Sequence, residues 1–158
     1  CGEARPLPGW FQKEAMISPQ GSPSLRQALV LVDTSAMGAL ANRGDDNHHQ
    51  ALEIYQRMRR ERCRPFTTDV LVIETHTLLV VRAHHTVARS WLKAQPLPEE
   101  WVTEEDYADA RQLILGYDDK DFSLADATSF VVMERLRTPW AFTFDEHFAQ
   151  YGFRAVTA

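Results

Sequence analysis

Ala28-Leu29-Val30-Leu31-Val32-Asp33-Thr34-Ser35 is the stretch from which the fold is read. Five apolar residues in a row, with no polar alternation, suit a short strand buried on both faces. Asp33, Thr34 and Ser35 follow at once, and their side-chain oxygens suit the N-cap of a helix. A strand that passes directly into a helix is the opening of a βα unit. The run Trp140-Ala141-Phe142-Thr143-Phe144 ends the same way, in Asp145.

Outward from Ala28 the pattern stays regular. A helix over 34–42 breaks at Asn42-Arg43-Gly44, and Asp45, Asp46 and Asn47 provide a fresh cap for a helix to about residue 62. Pro65-Phe66-Thr67 reads as a strand, 69–82 as a strongly apolar helix and 84–94 as a shorter one, ended by Pro96 and Pro98. A brief strand is expected at Trp101-Val102. Thr103 then caps a helix to about 115, and Ser123 caps another over 123–136. Strand 140–144, one helical turn at 145–150 and a strand at 153–156 complete the series. Short strands alternating with helices predict a parallel sheet covered on both faces.

Residues 1–26 differ. Pro6, Pro8, Pro19 and Pro23 with Gly2, Gly9 and Gly21 leave no sustained period, so this reads as an irregular lead segment, with Trp10 and Phe11 as residues able to dock elsewhere. It lacks a basic start followed by an apolar core and is not a secretory signal. Residues 27–158 form the single expected domain. The two cysteines, Cys1 and Cys63, make neither a disulfide framework nor a zinc knuckle, which fits a reducing cytoplasm. No apolar run is long enough to span a bilayer, so no membrane partner is expected.

A net charge of −5 argues against non-specific clinging to nucleic acid. Yet Arg57, Arg59, Arg60, Arg62 and Arg64 surround a single Glu61. Two readings stand: a solvated helix end with cations at its C-terminus, or a patch that contacts phosphate.

Four carboxylates carry the functional reading. Asp33 and Asp145 terminate strands, and in an open parallel sheet ligands gather beyond the strands' carboxyl ends. Glu74 shares a helix face with Val70, Leu71, Leu78 and Val81, and Asp126 shares one with Phe122, Phe130 and Met133. Each has a plainer explanation alone: Asp33 and Asp145 as helix caps, Glu74 and Asp126 as partners of a buried Arg or as protonated acids. Together they suit a hard divalent cation, Mg²⁺ or Mn²⁺, better than zinc.

Val30-Leu31-Val32-Asp33-Thr34-Ser35, Val72-Ile73-Glu74, Ser123-Leu124-Ala125-Asp126-Ala127 and Phe142-Thr143-Phe144-Asp145-Glu146-His147-Phe148 resemble, in order and spacing, the motifs of the PIN domain family, most closely its VapC-type toxins of type II toxin–antitoxin systems. The resemblance covers about residues 28–157. It implies a three-layer α/β/α fold with a mainly parallel sheet of four to five short strands, and a Mg²⁺- or Mn²⁺-dependent endoribonuclease. Asp33, Glu74, Asp126 and Asp145 would be its catalytic, metal-holding acids, with Asp121 an additional candidate. Ser35 and Thr34 would orient substrate or a ligand, and Arg82 and Arg89 would contact RNA phosphates. It further implies an RNA substrate (tRNA, rRNA or mRNA), a cognate antitoxin, and a homodimer in the cytoplasm.

Other functions were weighed. A catalytically weak PIN-fold module that binds RNA or protein is the main alternative. A phosphoacceptor receiver domain fails because Asp33 stands alone after its strand and no Lys follows the later one. The adjacent pairs His48-His49 and His84-His85 point to different sides of a helix and chelate poorly. His147 is expected to pack near the surface rather than act. Trp91 and Leu92 are expected as exposed apolar residues for a partner.

Overall fold

The computed structural model describes residues 24–95 and 97–158. Trp10, Phe11 and most of the expected lead segment lie outside the described residues. The chain folds into a three-layer α/β/α sandwich whose five strands are all parallel. They are β1 (Leu29–Val32), β2 (Arg64–Thr68), β3 (Glu99–Glu100), β4 (Trp140–Phe142) and β5 (Arg154–Ala155). Among the described residues seven helices connect them: α1 (Thr34–Ala41), α2 (His48–Arg60), α3 (Asp69–Arg82), α4 (His85–Ala94), α5 (Glu104–Gly116), α6 (Leu124–Arg135) and α7 (Glu146–Tyr151).

The sheet order is β3-β2-β1-β4-β5. The chain leaves β1 toward β2 on one side, and β4 arrives on the other. That reversal opens a crevice beyond the carboxyl ends of β1 and β4, where an open α/β sheet admits a ligand. Val30 pairs with Pro65 and Trp140, and Val32 with Phe142, so the two strands that run into Asp33 and Asp145 are in register at that edge. The Asp33 N–H donates to Phe142 O at 3.0 Å and extends the ladder to the carboxylate itself.

The core consists of Val30, Leu31 and Val32 with Ile54, Leu71, Phe130, Phe142 and Phe148, all buried. Rings stabilise the β4–α7 side: Phe130 stacks on Tyr151 at 4.4 Å and meets Phe148 edge-on at 5.1 Å, geometries that add to simple burial. Leu25, on the lead side of the expected boundary, is also buried in this core. At Gly38, where α1 passes α3, an added Cβ would lie 2.8 Å from Leu78 Cδ2 and that side chain would have to move.

The caps behave as their sequences specify. Thr103 and Ser123 each form a reciprocal capping box, with Asp106 and Asp126 respectively. Two C-terminal caps are less expected. Arg62 and Arg137 follow α2 and α6 with φ of 56° and 53°, and the amides after them return to Met58 O and Met133 O. This left-handed geometry favours glycine, and an arginine there costs about 1 kcal/mol.

Two expectations need correction. The edge strand is Glu99–Glu100, not Trp101-Val102. Thr67 N–H donates to Pro98 O, so pairing begins before the residues of highest strand propensity, and Trp101 is left 69% exposed. Val81 does not share a buried stripe with Glu74, being 78% exposed together with Ile73 and Val80.

Candidate metal centre

Asp33 is held at the end of β1, 4% exposed. Its Oδ2 accepts from Ser35 Oγ at 2.7 Å, Thr143 Oγ1 at 2.9 Å and Ser35 N at 3.2 Å. Ser35 Oγ in turn accepts from Phe144 N, and Thr143 Oγ1 from Asp145 N, both at 2.9 Å. Two hydroxyls therefore lock the end of β1 to the segment after β4. Burial pushes the Asp33 carboxyl above the usual carboxylate range, against the lowering effect of these bonds.

Glu74 enters from α3, half-buried. Its Oε2 accepts from Thr34 Oγ1 at 2.8 Å, and Thr34 Oγ1 accepts from Thr75 Oγ1 at 3.3 Å. Burial raises the Glu74 pKa and the Thr34 bond lowers it. The negative charges of Asp33, Asp126 and Asp145 raise it further. Three carboxylates from β1, α6 and the β4–α7 junction thus act on the fourth.

Asp126 and Asp145 complete the group. Asp126 Oδ2 accepts from Ser123 N at 2.8 Å as part of its capping box, and Asp145 Oδ1 accepts from His147 N at 2.9 Å as the cap of α7. The capping explanation is therefore true for Asp33 and Asp145, Asp126 closes the box of the Ser123 cap, and these roles do not exhaust them. Oδ1 of Asp126 and Oδ2 of Asp145 have no hydrogen bond among the described residues. The buried-guanidinium explanation does not apply: among the described residues no Lys or Arg forms an ion pair with any of the four acids.

His147 was not expected here. Its Nδ1 lies 3.1 Å from Asp126 Oδ2 and 3.4 Å from Asp145 Oδ1, and its Nε2 lies 3.3 Å from Asp121 Oδ1. Phe122 supports the ring edge-on at 5.5 Å. Partial burial lowers the imidazole pKa, but the Asp126 hydrogen bond and the charges of Asp145, Asp126 and Asp121 outweigh it, so the net shift is upward. Asp126, Asp145 and His147 each offer one ligand atom, all within 4.8 Å of one another. The signal available in sequence was positional: a residue two beyond a helix-capping Asp can fold back onto the capping carboxylate. Thr143 was likewise read only as part of a strand.

The remaining candidates are peripheral. Asp121 is almost fully exposed and reaches the group through His147. Arg82 lies eight residues, about 12 Å, along α3 from Glu74, and both Arg82 and Arg89 are exposed. Crowded oxygen donors with little compensating positive charge fit a hard divalent cation.

Known proteins share the sequence pattern and the fold of this chain. The PIN domain family model matches residues 30–154. The 23S rRNA-specific endonuclease VapC20 of Mycobacterium tuberculosis is 31% identical over 134 residues, covering 81% of this chain and 98% of its own length, in strains CDC 1551 and H37Rv alike. The crystal structure of M. tuberculosis VapC20, described as a sarcin-ricin loop cleaving toxin, superposes with a TM-score of 0.75 at 30% identity, covering 82% of this chain and 99% of that one. With the family model, the relative and the superposed structure all in agreement, the chain belongs to the PIN domain family, among the VapC-type members.

Proposed function

We propose that this protein is a divalent-metal-dependent endoribonuclease, the toxin of a type II toxin–antitoxin pair, acting on ribosomal RNA. The observation that carries the reading is that Asp126, Asp145 and His147 bring ligand atoms within 4.8 Å of one another at the switch-point crevice, with Asp33 tied to the same junction through Thr143 and no Lys or Arg ion-paired to the acids among the described residues. Asp33, Glu74, Asp126 and Asp145 would hold Mg²⁺ or Mn²⁺. When bound, such a cation neutralises charge developing on the scissile phosphate and lowers the pKa of water.

The chain's own residues prepare that site. Ser35 and Thr143 fix the Asp33 carboxylate, and Thr34 fixes that of Glu74, so the donor set is organised before substrate arrives. His147 holds Asp126 and Asp145 together and tempers their mutual repulsion. Asp121 on the rim is an additional ligand candidate. Ribosomal RNA is favoured over tRNA and mRNA because the similar VapC20 protein is specific for 23S rRNA.

A small antitoxin is the expected partner. An apolar groove of about 330 Å³ is lined by Met37, Leu40, Leu52, Tyr55, Trp91 and Leu97, suited to apolar anchors of such a protein. Trp91 is half-buried and forms part of this groove, whereas Leu92 is exposed. No helix among the described residues is long and apolar enough to cross a membrane, and cytoplasmic action as a homodimer fits the reading.

The test is cleavage of purified ribosomal RNA in Mg²⁺, in EDTA, and by Asp33→Asn, with sequencing of the new 5′ ends. Discrete cleavage that needs both the cation and Asp33 supports the reading. RNA binding without turnover would establish the regulatory module instead.

A further inference from the structure

The acids occupy one end of the sheet, and arginines crowd the other. Arg64 opens β2 opposite Leu29, and Arg154 opens β5 opposite Trp140. Arg26 precedes β1 and Arg137 precedes β4. These four stand at the amino edges of β2, β1, β4 and β5, which are lateral neighbours spanning about 14 Å. Arg57, Arg59 and Arg60 form the last turn of α2, and Arg62 follows. The segment reaches the same edge, since Gln27 N–H donates to Glu61 O and Arg64 N–H to Ala28 O, both at 2.8 Å. Eight of the chain's 17 Lys and Arg residues gather here, and all eight are Arg.

Six of them are exposed, with Arg57 and Arg154 half-buried. Among the described residues none forms an ion pair with Asp or Glu. Compensation of a helix C-terminus accounts for Arg57, Arg59 and Arg60. It does not account for the strand-edge residues. Nor does local backbone preference account for Arg62 and Arg137, which hold left-handed conformations where glycine fits better.

We propose that this arginine edge is a second RNA-contact surface, holding backbone phosphates of a folded RNA whose cleavage site lies in the acidic crevice at the opposite end. The proposal rests on the nuclease reading. Planar guanidinium forks suit phosphate oxygens, and a chain of net charge −5 needs a positive region to receive a polyanion. Among the described residues the edge carries no exposed large apolar side chain for insertion into a bilayer; Tyr55 is one turn back along α2. The two ends lie on opposite sides of the sheet, a strand length of about 13 Å plus the side chains. A short stem-loop seated in the crevice runs away from the opposite face and does not fold back around the domain to reach it. A large folded RNA does.

The test uses full-length protein carrying Asp33→Asn, so that binding is read without turnover, and compares it with the same protein carrying Arg62→Gly and Arg137→Gly. Glycine suits both backbone positions, so the variant folds, and thermal melting checks that it does. Fluorescence anisotropy measures affinity for a ribosomal RNA transcript of several hundred nucleotides and for a short stem-loop containing the cleavage site. Loss of two phosphate contacts weakens binding of the long RNA by about 15- to 30-fold at 0.15 M salt and lowers its salt slope by about 2. Binding of the stem-loop, and its cleavage by protein with Asp33 intact, stays unchanged. Equal affinity of both proteins for the long RNA, or an equal loss for both RNAs, overturns the proposal. A binding difference without any cleavage by the Asp33 protein supports the surface and sinks the nuclease reading; cleavage without a binding difference does the reverse.

Discussion

Thr143→Val removes one hydroxyl and keeps the shape of the side chain, which makes it the sharpest probe of how the site is built. Thr143 is 5% exposed, so valine fills its space and leaves no cavity. Two bonds are lost: the donation to Asp33 Oδ2 at 2.9 Å, and the acceptance of Asp145 N–H at 2.9 Å. A hydrogen bond to a charged acceptor contributes about 1.5–3 kcal/mol. Asp33 retains Ser35, and the Asp145 amide lies near solvent, so the lower end applies, offset by about 0.8 kcal/mol for the extra buried methyl. The expected net loss is about 1–2 kcal/mol, read as a lower urea midpoint. Metal-dependent cleavage should fall about 10- to 100-fold, the usual consequence of freeing a ligand from its support. Thr143→Ser loses the methyl instead and should be destabilised by a similar amount while keeping activity. Wild-type activity in Thr143→Val, or equal loss of activity in both variants, would refute the reasoning.

Further outcomes follow from other contacts. Arg135 clamps Asp106 with two bonds of 2.9 Å and also reaches Glu100, tying α6 to α5 and β3. Arg135→Ala leaves the buried Asp106 with only Thr103, and chemical denaturation should show a loss of about 2–3 kcal/mol. Although burial raises the Asp106 pKa, the Arg135 and Thr103 bonds outweigh it and the net shift is downward. That stability is present above the ordinary carboxylate pKa of about 3.9 and is lost as pH falls through the lower folded value, so Arg135→Ala should flatten the acid limb of the stability profile. Asp33 and Glu74 shift the other way, burial being the first cause for both. Their contribution is fully present below the unfolded pKa and lost as pH rises through the folded one. In EDTA, Asp33→Asn should therefore gain stability over wild type at neutral pH, and the gain should vanish toward pH 4. Arg137→Gly should raise stability by no more than about 0.6 kcal/mol in urea denaturation, because relief of about 1 kcal/mol in the left-handed backbone is offset by about 0.4–1 kcal/mol of added unfolded-chain entropy.

Much of this was legible in the sequence, for local reasons. Strand ends and caps are written in adjacent residues: Val32 into Asp33, Thr103 with Asp106, Ser123 with Asp126. Long-range pairing is not local, which is why the strand expected at Trp101-Val102 lies instead at Glu99–Glu100, where the Pro98 carbonyl meets Thr67. The buried stripe around Glu74 ends before Val81; periodicity identifies a face but not where along the helix its cover ends. The roles of His147 and Thr143 are not legible locally, because they depend on a ring and a hydroxyl turning back across a junction. The basic run at 57–64 left two readings open, since Arg26, Arg137 and Arg154 join it only through the sheet.

The central claim concerns the four acids, and an anomalous difference map from a manganese-soaked crystal tests it most directly. The account expects a peak about 2.0–2.2 Å from carboxylate oxygens of Asp33 and its partners among Glu74, Asp126 and Asp145. A protein that cleaves RNA in manganese yet shows no peak in that crevice, or one only elsewhere, would contradict it.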